Sequence, residues 1–255
     1  MQILVGDTGL VGSNLKNQIQ FDKTFNSKNI NKFNELVDDG ATIYLSCLPA
    51  TKWLINQSDI SKRQDYENCE NLINIFSKKQ YKKVILISTI DVYLGKEHGL
   101  DEDAALVPEE LGYGENRLFF EQAIGNELDY KSLKIYRLPG LFGEGLEKNI
   151  LFDLTNGNNL DNININSYYQ WYNLNRLKLD ISAGNNLDNK IINLFTEPVY
   201  TKDILDRYFP NQNIGYNSEE PVVYDYKTKL FESGYIDTAT NIIKEIGEYL
   251  HANRR

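Results

Sequence analysis

The sequence predicts an α/β protein built on a doubly wound parallel sheet, and three observations carry that expectation. A short apolar run at residues 3–5 breaks into Gly6, Gly9 and Gly12 and continues with Leu10, Val11, Leu15 and Ile19 at helix-compatible intervals, which reads as strand, tight loop, helix. The run at residues 84–88 is apolar without alternation, as a parallel strand covered on both faces must be. Runs of this kind alternate with segments of helical period through residue 138.

In chain order, residues 23–26 form a second short strand. Ile30, Phe33, Leu36 and Val37 then share one helical stripe. A third strand at 42–47 is closed by Pro49. Residues 58–79 place Tyr66, Cys69, Leu72, Ile73 and Phe76 at helical spacing, with a charged first half that reads partly as loop. The strand at 84–88, an acidic loop, a helix over 112–128 and a strand at 133–138 follow. After Gly145 the texture changes, with Asn and Asp dense over 156–166. A strand at 170–174, a helix at 177–183, a strand at 190–195, a helix at 201–209 and a closing helix at 236–250 are expected there. The expected organisation is a dinucleotide-binding domain over 1–145 and a smaller mixed α/β substrate lobe over 146–255, interleaved with it.

Composition narrows the function. At 255 residues, 41% hydrophobic and 25% charged, the chain can bury one sizeable core. A formal net charge of -9 argues against a general nucleic-acid binder and against an anionic-membrane binder, both of which need a basic face. Cys47 and Cys69 are read as packing residues, and two scattered histidines, His98 and His251, are too few for a histidine metal site. With neither a signal peptide nor an apolar stretch of membrane-spanning length, the expected location is the cytoplasm.

The first loop carries the clearest chemistry. Gly6, Gly9 and Gly12 supply a tight turn, close backbone approach to a ligand, and close packing of helix on strand, which is what a pyrophosphate site needs. The loop therefore points to a dinucleotide, with a Rossmann-type sheet behind it.

The spacing GxxGxxG, with Thr8 before Gly9, is similar to the opening of the short-chain dehydrogenase/reductase superfamily. Ser88-Thr89-Ile90-Asp91-Val92-Tyr93, Tyr113-Gly114-Glu115-Asn116-Arg117 and Arg137-Leu138-Pro139-Gly140-Leu141-Phe142-Gly143 follow in order. In order and spacing these resemble the extended branch, the nucleotide-sugar epimerases, dehydratases and reductases. The resemblance implies an NAD(P)-dependent enzyme on a nucleotide-activated sugar, with substrate in a cleft beside the smaller lobe and dimerisation through the helices after the third and fourth strands. It makes Tyr113 the acid/base, has Thr89 hydrogen-bond the reacting oxygen, and has Arg117 hold the cofactor ribose and bias the tyrosine. Gly6, Thr8, Gly9, Leu10, Val11 and Gly12 would face the pyrophosphate, and Leu48, Pro49, Ala50, Ser88 and Pro139 would line the rest of the cofactor site.

The sequence departs from that family in three places. Arg117 stands where Lys is usual, and a guanidinium cannot relay a proton. Gly140 replaces an Asn that positions substrate in relatives, and Ile90-Asp91 replaces the dehydratase carboxylate pair, which favours epimerisation or carbonyl reduction. At the end of the second strand, where an acid would select NAD, the chain has Asn26-Ser27-Lys28, and Ser27 with Lys28 favours NADP.

Bland uses compete at several positions. Thr89 also fits a strand-end capping hydroxyl, Tyr113 a helix-start aromatic, and Tyr168, Tyr169, Trp171 and Tyr172 a packed aromatic cluster. The acidic segment 97–110 reads as a solvated loop near the site entrance, and Arg207, Arg254 and Arg255 stand in no special context. Two other functions remain open: a binding protein that keeps the dinucleotide but has lost catalysis, and a reductase of a small non-nucleotide carbonyl compound.

Overall fold

A computed structural model describes residues 1–214 and 220–253, so Arg254 and Arg255 lie outside the described residues. By packing, the chain divides into two units: residues 1–96, 103–137 and 177–192 form the first, and 97–102, 138–176 and 193–255 the second.

The first unit begins with β1 (Gln2–Val5), α1 (Leu10–Gln18), β2 (Lys23–Phe25), α2 (Phe33–Leu36), β3 (Ala41–Leu45), α3 (Lys52–Ile55) and α4 (Asp59–Phe76). It continues with β4 (Gln80–Thr89), α5 (Tyr113–Glu127), β5 (Asp129–Tyr130) and β6 (Leu133–Leu138). The second unit holds β7 (Gly140–Phe142), α6 (Ile150–Asn156), β8 (Tyr168–Tyr169) and β9 (Trp171–Asn173). α7 (Leu177–Gly184) and β10 (Ile191–Asn193) then rejoin the first unit, and β11 (Val199–Tyr200), α8 (Thr201–Tyr208) and α9 (Ala239–Asn253) complete the second.

The main sheet runs β10-β6-β4-β3-β1-β2, with β5 beside β4. β1 pairs in parallel with both β2 and β3, Val5 lying opposite Phe25 on one side and Leu45 on the other. The chain leaves β1 toward β2 and later returns to build outward from β3, so the sheet is doubly wound and its switch point lies between β1 and β3. Ligands of such sheets bind at the carboxyl ends of the strands there.

Apolar β-rich strands make this core because every face is covered. Ile3, Val5, Ile43, Leu45, Val84, Leu86 and Ile135 are buried together with Phe25, Phe33, Phe76 and Phe120. Phe25, Phe33 and Phe76 pack ring against ring at 5.1 Å, so the stripe predicted on the polar segment after β2 buries its central aromatic.

Several expectations change. The charged first half of the 58–79 segment is helical throughout: Ser58 Oγ caps α4 by accepting from the Ser61 N–H at 3.1 Å, and Arg63 pairs with Glu67 one turn on. β4 starts earlier than expected because Gln80 and Tyr81 pair with β5. The chain-order boundary at residue 145 is not where packing divides, since β10 extends the main sheet beside β6 and α7 stays with that unit. α6 was unexpected; the Asn149 side chain accepts from the N–H groups of Leu151 and Phe152, and Gly157 ends the helix at φ 66°.

In the second unit, β7 pairs in parallel with β9 and β8 antiparallel with β11. The acidic segment 97–110 is not wholly a solvated loop. Within the second unit the Glu102 carboxylate accepts from Asn193 N, Thr228 Oγ1 and Lys229 N at 2.7–2.9 Å.

Candidate functional site

At the end of β1 the chain turns at Gly6 with φ 97°, and its N–H donates to the Phe25 carbonyl at 2.7 Å. A Cβ on Gly6 would stand 2.2 Å from the Ser46 carbonyl oxygen, and one on Gly12 would stand 1.9 Å from that of Gly6. Both glycines are thus demanded by backbone packing across the switch point. Gly12→Ala is expected to lower stability by about 3 kcal/mol in urea unfolding, because the obstacle is backbone that cannot swing aside.

Gly9 differs. Its φ is an ordinary -78°, and the nearest atom to a built Cβ is 3.7 Å away, so nothing in the protein requires glycine there. It is exposed and, as the N-cap of α1, brings no side chain of its own to the first-turn amides. Thr8 is exposed beside it. A helix N-terminus with no side-chain cap and with room above a glycine suits an anion.

Beside this loop, Asp7 accepts from Thr24 Oγ1 at 2.9 Å, Asn26 Nδ2 at 3.0 Å and Lys16 Nζ at 3.3 Å. Asn26 Oδ1 accepts from the Lys28 N–H, and Ser27 and Lys28 are exposed.

A second group of residues forms around α5, whose first residue is Tyr113. The Tyr113 N–H is capped across the chain by Asn56 Oδ1 at 2.9 Å, and its side chain is buried. The Arg117 guanidinium lies 4.5 Å from the Tyr113 ring centroid. Arg117 is fully engaged with protein: Nη1 and Nη2 grip the two Asp65 oxygens at 2.9 and 3.0 Å, and Nη2 also donates to the Pro49 carbonyl at 2.6 Å. Asn116 Nδ2 donates to the same carboxylate at 2.8 Å. The guanidinium expected to hold a ribose is, in this structure, a buried fork closed on α4. Burial pushes the Tyr113 hydroxyl up, Arg117 pulls it down and Asp91 pushes it up again, leaving it above its ordinary value.

Thr89 caps the short 3-10 helix Ile90–Tyr93, accepting from the Asp91 N–H at 3.2 Å while its hydroxyl reaches Asp91 Oδ2 at 3.3 Å. The capping use is thus realised. Asp91 Oδ1 receives Lys52 Nζ at 2.7 Å. Behind these groups, Arg137 binds Glu121 through Nε and Nη2 and donates to the Tyr93 hydroxyl, all buried, which ties β6, α5 and the 3-10 turn together.

Sequence reading brought Thr89, Tyr113, Arg117 and Pro49 into one neighbourhood but missed Asp65, Asn56, Asp91 and Lys52. No local pattern signals those four, because each acts across 39 or more residues, except Asp91 toward Thr89. Leu48 and Ser88 are half-buried at the ends of β3 and β4, and Ala50 is exposed.

In the second unit Pro139 is buried, and Gly140 is explained sterically. A Cβ there would meet the Gln170 carbonyl at 3.0 Å and the Trp171 indole at 3.1 Å, so this packing leaves no room for Asn. Trp171 and Tyr172 are core, and Tyr168 stacks on Tyr200 at 4.6 Å. The aromatic cluster is mainly packing. Burial pushes both cysteine thiols up to about 12. Among the described residues no His, Cys, Asp and Glu group could hold a metal ion, and no helix is long and apolar enough to cross a membrane.

No family model matches the sequence, and no curated protein matches it. Solved structures do. The chain is similar to MoeE5 in complex with UDP-glucuronic acid and NAD (14% identity, TM-score 0.76), covering 100% of this chain and 99% of that one. It is similar to a dTDP-4-dehydrorhamnose reductase of Clostridium acetobutylicum at 16% identity and TM-score 0.70, covering 100% of both chains. The NAD-dependent NDP-hexosamine 5,6-dehydratase TunA aligns at 16% identity and TM-score 0.73, over 98% of this chain and 96% of that one. At these identities the likeness is one of fold: the chain shares a Rossmann-like α/β fold with these three structures over nearly its whole length.

Proposed function

We propose that the protein binds a nicotinamide dinucleotide at the Gly6–Gly12 loop and moves hydride to or from a nucleotide-activated sugar, with Tyr113 as acid/base. The observation that carries the binding half is Gly9. A position with room for a side chain, ordinary φ and an α1 N-terminus with no side-chain cap beneath it fits a pyrophosphate better than it fits any packing need. Leu10, Val11 and Gly12 would offer amides to the phosphates, Asn26 and Ser27 would flank the adenosine ribose, and Leu48, Pro49, Ala50 and Ser88 would line the remainder. The nicotinamide supplies the hydride chemistry when bound.

Tyr113 supports the catalytic half: a buried phenol against a guanidinium, with the Thr89 and Asp91 side chains close by, can give a proton to a substrate oxygen or take one from it. UDP-glucuronic acid and UDP-glucose bound to MoeE5 with NAD support a nucleotide sugar as substrate.

A specific observation favours a second reading, a dinucleotide-binding protein without turnover. Arg117 is closed on Asp65 and Pro49, and its charge is largely neutralised there.

Gly9→Ala tests the binding half. The variant is expected to keep wild-type stability and to lose NAD(P) affinity by about tenfold or more, because a methyl group enters the space assigned to phosphate. Unchanged affinity by calorimetry sinks the site. Exchange of labelled hydride across a panel of UDP-, dTDP- and GDP-sugars separates the enzyme from the silent binder.

A further inference from the structure

In a doubly wound sheet, an acidic side chain at the carboxyl end of the second strand bonds the adenosine 2′-hydroxyl and repels a 2′-phosphate. β2 ends in Thr24-Phe25 and continues Asn26-Ser27-Lys28, with no acid. The structure brings one there from another strand. Val5 is level with Phe25, so Asp7, two residues past β1, stands level with the residues that follow β2, and its N–H reaches the Phe25 carbonyl at 3.4 Å. Its carboxylate is pinned by Thr24 Oγ1 and Asn26 Nδ2 at 2.9 and 3.0 Å.

Three consequences follow for the adenosine end of the site. The Asn26 carboxamide is turned toward Asp7 and the Lys28 N–H. Burial works against ionisation of Asp7, but hydrogen bonds from Asn26, Thr24 and Lys16 outweigh it and hold the carboxyl below its ordinary range, so it is charged at neutral pH. The nearby cations are weak counterweights: Lys16 is 54% exposed at 3.3 Å, and Lys28 is exposed in the turn, where solvent screens both.

Resting on the dinucleotide site proposed above, we propose that Asp7 selects the cofactor: its carboxylate fills the place of the missing acid after β2, so the protein takes NAD and rejects NADP. The residue that decides the cofactor thus comes from the glycine loop, and Ser27 with Lys28 does not form a phosphate pocket.

Calorimetric titration of the full chain with NAD+ and with NADP+ tests this without reference to turnover. Wild type is expected to bind NAD+ about tenfold or more tightly than NADP+, the effect of one poorly screened like charge. Asp7→Asn, which preserves an acceptor for Thr24, is expected to bring the two affinities within about threefold by improving NADP+, and Asp7→Ser serves the same purpose if the first variant is unstable. Lys28→Ala is expected to leave the ratio within about twofold.

Wild type binding NADP+ as tightly as NAD+ overturns the proposal, and loss of NADP+ binding in Lys28→Ala would then assign the phosphate to Lys28. Equal weakening of both cofactors in Asp7→Asn also overturns it, since Asp7 is then a tether between β1 and β2 and no more. Absence of binding of either cofactor by wild type removes the dinucleotide site itself, an outcome separable from a failure of selection alone.

Discussion

Asp65→Ala is expected to destabilise the protein by about 3–5 kcal/mol in urea unfolding, because it leaves the Arg117 guanidinium buried without its counter-ion. The side chains of the pair are only 5% and 3% exposed, and both carboxylate oxygens are gripped by the guanidinium fork. Arg117→Met is expected to cost a similar amount, since the buried carboxylate then keeps only Asn116 as a side-chain donor. The double variant Asp65→Leu/Arg117→Met is expected to recover most of the loss, because neither charge is then stranded and the new side chains pack. Additive losses in the double variant would show that the pair is not the source of either effect.

The same geometry accounts for arginine at a position where the resemblance leads one to expect lysine. The donors of an ammonium all sit on one nitrogen, whereas the planar fork spreads them over two and so meets both oxygens of Asp65 and the Pro49 carbonyl. Arg117→Lys is accordingly expected to lower stability and to leave turnover no better than wild type. Turnover of Arg117→Lys therefore has to be read beside its urea unfolding, since a loss there reports the broken fork to Asp65.

What could be read in the sequence was whatever depends on near neighbours. The Gly6–Gly12 loop, the apolar strands and the stripe that buries Phe33 follow from spacing within about one turn or one strand. α6 was missed because its cap, Asn149, opens an Asn-rich stretch in which capping and loop use look alike. Asp65 was missed as a partner because it lies 52 residues from Arg117, and Glu102 looked like one more acid in a solvated run although it binds residues 91 and 126 positions away. Asp7 shows the sharpest limit. The residues that follow β2 in sequence include no acid, while strand register sets Asp7, from β1's loop, beside them.

Tyr113→Phe is expected to lower hydride transfer by about 10²- to 10⁴-fold, the usual size of a lost acid/base group. Stability is expected to change by no more than about 1 kcal/mol, since the ring stays packed on Arg117 and only one hydroxyl is removed. The pH dependence gives a sharper signature. Burial holds the hydroxyl above its ordinary value near 10 despite Arg117, so the protonated phenol persists to higher pH than in a free tyrosine. In the direction that needs a proton donor, reduction of a ketosugar, the wild-type rate is therefore expected to stay flat from neutral pH to about 10. In the direction that needs a base, oxidation of an alcohol, only the ionised fraction acts, so the rate is expected to rise about tenfold per pH unit until the tyrosine titrates in the complex. With an oxidised nicotinamide bound, Tyr113 would titrate at lower pH and that plateau would move down with it. The slope should vanish in Tyr113→Phe and persist in Asp7→Asn, which leaves the phenol in place. A slope that survives in Tyr113→Phe would place the proton with another group, and the Asp91 carboxylate held by Lys52 is the next one in the structure to remove.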